Sequence, residues 1–220
     1  MKNPDSIFDV IVVGAGASGL MAAGRAAEKG KTVLLLEKNK ALGEKLKITG
    51  GGRCNITNAE LDERKLLKNY GKAEQALYSV FSKFGVKETF SFFEKRGLSL
   101  VVQAGKRAFP KTEKAYDVYA VLDKYIHDSD VLVKTNSPVT RIVSESSREG
   151  VRRVVAVIVG RHEYRARSFI FATGGVSHPE TGSTGEGFGW LSELGHTVLG
   201  PTPTIVPLAV NDLWVKSLAG

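Results

Sequence analysis

Asp9-Val10-Ile11-Val12-Val13, running into Gly14-Ala15-Gly16-Ala17-Ser18-Gly19, decides the fold of this chain. The β-branched apolar run has the texture of a strand buried on both faces. An alanine-rich helix follows and ends near Lys29-Gly30, and Thr32 to Leu36 forms a second strand closed by Glu37, 23 positions after Gly14. Together these make a βαβ unit of about thirty residues. Its glycines answer separate physical needs. Gly14 permits the tight turn, Gly16 lets the backbone approach a pyrophosphate, and Gly19 allows close contact between helix and strand. Ala17 and Ser18 open the helix, whose N-terminus faces the anion. The Glu37 carboxylate is placed to accept hydrogen bonds from both ribose hydroxyls of an adenosine, with Lys38 beside it.

Further along, helices are expected over Ala73 to Phe84 and Lys87 to Lys95, then a strand from Leu98 to Gln103. Ala115, Val118, Val121, Leu122 and Ile126 share one face of an amphipathic helix from Ala115 to His127. Val131 to Lys134 has the apolar texture of another buried strand. The spacing then tightens into Val139 to Val143, Val154 to Val159 and His162 to Ala166, an antiparallel three-stranded meander. A last apolar strand, Phe169 to Ala172, enters Thr173-Gly174-Gly175. The fold class is therefore α/β, with a Rossmann-like parallel sheet interrupted by a meander. That order resembles the two-dinucleotide-binding-fold FAD proteins.

The first glycine turn alone does not separate NAD from FAD; the next segment does. From Gly43 to Asn58 the chain reads Gly-Glu-Lys-Leu-Lys-Ile-Thr-Gly-Gly-Gly-Arg-Cys-Asn-Ile-Thr-Asn, too long and too glycine-rich for a simple connector. Gly50, Gly51 and Gly52 let a backbone pass close to a flat ring or a phosphate. Lys45 and Arg53 have the charge to neutralise a pyrophosphate. This segment closely resembles the BaiN-like family of NAD(P)/FAD-dependent oxidoreductases, which includes aminoacetone oxidase and a bile-acid reductase. A second block, Phe171-Ala172-Thr173-Gly174-Gly175-Val176-Ser177-His178-Pro179-Glu180-Thr181-Gly182-Ser183-Thr184-Gly185-Glu186-Gly187, resembles the same family, as do Arg107 to Pro110 and Lys114-Ala115.

The resemblance implies FAD, with its diphosphate at Gly14 to Gly19, a ribose at Glu37, and the backbone near Val139 beside the adenine. Thr173, Gly174 and Gly175 would close on the dinucleotide. Thr49, Gly51, Gly52, Arg53, Cys54 and Asn55 would run along the isoalloxazine side. It implies NAD(P)H as reductant in reductase members, or oxygen as acceptor in oxidase members, acting on a small-molecule substrate. It also implies a FAD-binding domain over 1–200 and the start of an inserted domain over 201–220. A late glycine-rich segment of the family would complete the flavin site, so an N-terminal fragment with little activity of its own is expected.

Composition narrows the remaining classes. Thirty-one Lys and Arg against 23 Asp and Glu give a charge of +8. Those cations are scattered, without a run of five like charges or interleaved aromatics. The pattern therefore speaks for a solvated surface and an anionic cofactor rather than a nucleic-acid platform. An FAD-containing RNA-modifying protein and a non-catalytic flavin-binding fragment are the rivals. The longest apolar runs have strand length, far short of the ~20 residues of a membrane span. No signal peptide is visible, and the single cysteine cannot form an internal disulfide, so a cytoplasmic location is expected. Cys54 has no CxxC partner and is expected to pack or make polar contacts beside the cofactor. No Cys or His cluster suggests a metal. His178 lies in a polar glycine-rich loop, where substrate contact or proton transfer is an alternative to a surface role. No residue stands out as catalytic.

Overall fold

The computed structural model describes residues 7–146, 148, 150–203 and 214. In chain order it contains β1 (Phe8–Val13), α1 (Ala17–Glu28), β2 (Val33–Leu36), α2 (Glu44–Ile48), β3 (Thr57–Asn58), α3 (Glu63–Leu67), α4 (Glu74–Phe81) and α5 (Val86–Glu94). Then come β4 (Leu100–Gln103), β5 (Arg107–Pro110), α6 (Ala115–Asp128), β6 (Leu132–Lys134), β7 (Val139–Ser146), β8 (Arg152–Val159), β9 (His162–Phe171) and α7 (Glu186–Glu193). The expected start of an inserted domain over 201–220 falls almost wholly outside the described residues.

A six-stranded sheet runs β6-β2-β1-β9-β8-β7. Its first four strands are parallel, with Val10 opposite Val33 and Val13 opposite both Leu36 and Phe171. The last two are antiparallel. Covered on both faces, the central strands need apolar residues at every position, and Ile11, Val12, Leu34 and Leu35 are fully buried. One face packs on Leu20 and Ala23 of α1 and on Val118, Leu122 and Ile126 of α6. The other gathers Phe8, Ile11, Leu34 and Leu36 with Val157, Tyr164 and Trp190. The βαβ unit and the late return of the chain to the sheet agree with the sequence reading.

Four boundaries differ from it. The third meander strand and the strand after it are one continuous strand, β9. Its first half pairs antiparallel with β8, and its second half, from Ala166, pairs parallel with β1. The polar Arg165, Arg167 and Ser168 look like a break in the sequence, but they are side chains on an exposed stretch of unbroken backbone. The stretch from Lys38 to Asn58 contains a helix, α2, too short to show a period. Arg107–Pro110 is a strand, paired with β3 and β4 in a separate three-stranded antiparallel sheet. The second glycine-rich block turns into α7.

Two glycines hold the layers at their spacing. A methyl group on Gly19 would lie 1.8 Å from the Gly14 carbonyl oxygen, and one on Gly24 would lie 2.3 Å from the Tyr125 ring. The first sets how closely α1 follows β1; the second sets the approach of α6 to α1. Gly19→Ala is therefore expected to lower stability by about 3 kcal/mol through overpacking, measured by urea unfolding. Unchanged stability would mean that α1 is not seated as closely as the structure has it.

Candidate functional site

The ends of β1, β2 and β9 converge on one cleft. At each end the chain leaves the sheet through a main-chain hydrogen bond to its neighbour: Gly14 N–H donates to Leu36 O at 2.8 Å, and Ala172 N–H donates to Val13 O at 2.8 Å. Gly14 has φ 97°, and a methyl group there would meet the Ala172 carbonyl oxygen at 2.6 Å, so only glycine suits the position. The site lies outside the carboxyl ends of parallel strands, where α/β sheets of this kind hold ligands.

The cavity measures about 600 Å³, within the ~300–1,000 Å³ typical of small-molecule and cofactor clefts. Gly14, Gly16, Ala17, Ser18, Glu37, Lys38, Lys45, Thr49, Cys54, Asn55, Val139, Thr173, Gly174 and Gly175 all border it. The structure thus brings together residues from five separate stretches of sequence. Gly19 is buried against Gly14 instead, a packing position one turn behind the cleft. Gly51, Gly52 and Arg53 do not border the cavity, and the Arg53 guanidinium lies 4.9 Å from the centre of the Phe109 ring. The glycine run serves backbone conformation first: Gly50, Gly51 and Gly52 have φ of 60°, 65° and 82°.

Gly16 caps α1 without a side-chain hydrogen bond, and the first turn of the helix carries no acidic residue. A side chain added at Gly16 would meet nothing within 4 Å. Unpaired N–H groups and the positive end of the helix dipole therefore face open space, the arrangement that favours an anion.

Glu37 is buried, 7 % exposed. One carboxylate oxygen accepts the Ala15 N–H at 2.8 Å and the other accepts the Asn39 N–H at 2.8 Å. Sequence reasoning assigned this acid to a ribose, and the structure adds a second duty. It ties the glycine turn to the loop after β2. Each oxygen keeps a further lone pair for a ligand hydroxyl.

Across the cleft, the loop from Thr173 to Gly187 is fastened to the β2–α2 segment. Lys38 Nζ donates to Thr184 Oγ1 at 2.7 Å and pairs with Glu186 Oε1 at 2.6 Å. The Asn39 amide donates to the Thr181 carbonyl at 3.0 Å, and Lys45 Nζ donates to the Ser177 carbonyl. Lys45, expected near a pyrophosphate, and Lys38, expected beside the ribose, are thus both engaged with this loop. Burial lowers the Lys45 pKa, with nearby Glu180 acting in the opposite sense. Sequence reasoning missed this clasp. The acid in the second glycine-rich block was the signal, but its partner stands 148 positions away.

His178 is exposed, and its Nδ1 lies 2.8 Å from Glu180 Oε1. It does not border the cavity. Among the described residues no group of three or more His, Cys, Asp or Glu could hold a metal ion, and no helix is long and apolar enough to cross a membrane.

Residues 8–210 match the model of the HI0933-like protein Rossmann domain. The chain belongs to that family. Similar to this family member is 3-dehydro-bile acid Δ(4,6)-reductase of Clostridium scindens, 30 % identical over 95 % of this chain and 49 % of that protein. Similar too is the ribosomal RNA dihydrouridine synthase of Haemophilus influenzae, 29 % identical over 96 % of this chain and 51 % of that protein. The chain spans about half the length of these curated relatives. Among solved structures, an open flavocytochrome c3 fumarate reductase superposes with a TM-score of 0.68 at 22 % identity, over 89 % of this chain and 42 % of that one. The 3-ketosteroid Δ1-dehydrogenase of Sterolibacterium denitrificans gives 0.67 at 16 % identity, over 86 % of this chain and 55 % of that one. At these identities the solved structures establish the fold.

Cys54 borders the cavity yet is only 3 % exposed. Burial pushes its thiol from an ordinary 9.0 up to about 11. A protonated, buried thiol is a poor nucleophile. Because the folded value lies above the unfolded one, the stability linked to the neutral thiol is fully present below pH 9 and is lost as the pH climbs toward 11. Alkylation by iodoacetamide at pH 8 is expected to run at least about tenfold slower in the folded protein than in urea. Equal rates would mean that the thiol is reachable and ionised.

Proposed function

We propose that this chain is the FAD-binding part of a flavin-dependent oxidoreductase acting on a small molecule, with NAD(P)H as the reductant. The observation that carries the reading is the reach of the cavity. It runs from the uncapped start of α1 at Gly16, past Glu37 and Val139, to the turn at Thr49 to Asn55. A mononucleotide needs only the first half of that path; a dinucleotide needs all of it.

The residues present fit the group. Backbone N–H groups of the first turn of α1, around Ala17 and Ser18, would take the diphosphate, with Gly16 leaving room for it. Glu37 would hold the ribose through its remaining lone pairs. The Val139 backbone would flank the adenine, and Thr173 to Gly175 would close the outer side. Thr49, Cys54 and Asn55 would line the flavin end. FAD, when bound, supplies hydride or electron transfer, and the protein binds, orients and excludes water. A cytosolic setting suits the single protonated thiol. The similarity to a protein named a reductase favours NAD(P)H-linked reduction over an oxidase reaction with oxygen.

The protein should be yellow when purified and should release FAD on denaturation. A colourless protein that cannot be reconstituted with FAD, yet binds NAD, overturns the reading. A rapid-mixing experiment without oxygen separates the reaction types, since a reductase bleaches with NAD(P)H alone.

Glu37→Gln keeps the side chain's length but sets an amide against a backbone N–H. It should weaken FAD binding by about 1.5–3 kcal/mol, measured by flavin fluorescence titration alongside a thermal melt. Lower stability with unchanged FAD affinity would leave Glu37 only the turn-tying role.

A second reading has support of its own. Two similar proteins are named ribosomal RNA dihydrouridine synthases, at 29 % and 24 % identity over 96 % of this chain, and the charge is +8. On this reading the substrate is RNA. Affinity for ribosomal RNA should then fall steeply and linearly on a log–log plot against salt. Weak binding with a flat salt response favours the small-molecule reading.

A further inference from the structure

We infer that Arg53 and Arg107 form a phosphate site just outside the cofactor cavity, and that this site holds the diphosphate of the reduced pyridine nucleotide. The inference rests on the flavin reading above and on NAD(P)H as the reductant, and it locates that partner at the flavin end. Neither arginine borders the cavity, but Cys54 and Asn55, the two residues after Arg53, do. The Asn55 amide, in the orientation that satisfies both its ends, donates to the Ala108 carbonyl, and Asn58 stands opposite Arg107 in the small sheet. One ring joins the two cations. The Arg53 guanidinium lies 4.9 Å and the Arg107 guanidinium 5.9 Å from the centre of the Phe109 ring, a side chain only 2 % exposed. A planar guanidinium held against a ring is preorganised, so it loses less freedom when it binds an anion.

Both arginines are exposed, and among the described residues no carboxylate pairs with either guanidinium. Arg107 Nε donates to the Ala104 carbonyl at 3.0 Å, which leaves its two terminal nitrogens for a ligand. The acids of the flanking turns are already engaged. Glu60 pairs with Lys65 at 3.4 Å and with Lys106, and Glu113 accepts from the Gln103 amide. Two positive charges therefore stand unneutralised, in the planar fork geometry that phosphate oxygens match. A single carboxylate would satisfy one fork and leave the other unanswered. A diphosphate diester carries a negative charge on each phosphate and answers both. The glycine run supplies the approach, since nothing stands within 4 Å of a side chain added at Gly51 or Gly52, directly before Arg53. Backbone that open admits a bulky anion at close range. The cofactor's own diphosphate has its place at the start of α1, so these charges are left for a second ligand.

The test follows bleaching of the FAD-loaded protein without oxygen by NADPH, NADH or 1-benzyl-1,4-dihydronicotinamide, a hydride donor that carries no phosphate. Arg53→Gln combined with Arg107→Gln should raise the half-saturating concentration of the reducing nucleotide at least about tenfold. The limiting rate, the rate with the benzyl compound and the FAD content should not change. Equilibrium dialysis of the same protein against inorganic pyrophosphate gives a readout apart from turnover, and the double variant should bind it at least about tenfold more weakly. Arg53→Lys with Arg107→Lys, which keeps the charge without the fork, serves where the glutamine pair does not fold. Arg141→Gln with Arg161→Gln removes the same charge from exposed positions on the meander and should change neither affinity. Unchanged nucleotide and pyrophosphate affinity overturns the inference, as does an equal loss with the meander pair or with the benzyl donor. Loss of FAD itself overturns it too, since the arginines would then hold the cofactor. If the protein takes up no FAD, or no nucleotide reduces it, the reading above fails by itself. Loss of one pyrophosphate-binding event in the double variant then still supports the phosphate site, and unchanged pyrophosphate binding overturns it.

Discussion

One buried carboxylate organises the cofactor end of this molecule. Glu37 closes β2, and its two oxygens accept N–H groups from the glycine turn after β1 and from the loop after β2. A buried carboxylate without partners is costly, so the surrounding backbone is held to the geometry that satisfies it. The turn at Gly14 to Gly16 is thereby fixed before any ligand arrives. With it are fixed the direction of α1 and the open N–H groups at its start. Much of the site is preorganised from this point, and a ligand that uses it has less ordering cost to meet.

The opposite wall depends on weaker contacts. Lys38 and Glu186 are partly exposed, at 29 % and 41 % of their side chains, and such pairs are typically worth about 0–1 kcal/mol. They act together with Asn39 on Thr181 and Lys45 on Ser177, so the loop over the cleft is held at several points. Packing adds to this: a methyl group on Gly182 would meet the Asn39 amide at 2.6 Å, and one on Gly187 would meet the Thr173 hydroxyl at 2.3 Å. The glycines of the second block are thus needed where the loop folds against itself and against the β2 end. The site combines one rigid wall built on strands with one wall tied by side chains.

The sheet explains why both walls face one cleft. β9 lies beside β1 in parallel register, with Phe171 opposite Val13, so Gly14 and Ala172 leave the sheet at the same level. The antiparallel β7 and β8 extend the sheet on the far side of β9 and bring Val139 to the cavity. Apolar side chains of α1, α2, α5 and α6 (Met21, Leu46, Phe93, Val118 and Leu122) also border the cavity.

The chain's local chemistry determined the βαβ unit, the three glycines and the acid after them, because strand texture, turn requirement and spacing all lie within thirty-odd neighbouring residues. It also marked Gly43 to Asn58 and Thr173 to Gly187 as segments with duties beyond connection, since glycine at that density has a conformational reason. Only the tertiary structure decided the rest. A strand that pairs with β8 along one half and with β1 along the other looks like two strands in one dimension, because register is a property of partners. Arg53 reads as a phosphate ligand by charge, yet its guanidinium lies over Phe109, and nothing in their spacing announces that contact. The Lys38–Glu186 pair, the second duty of Glu37 and the apolar side chains that border the cavity all arise between residues far apart in the chain. Such contacts depend on where packing places each backbone segment, and local propensity carries no record of it.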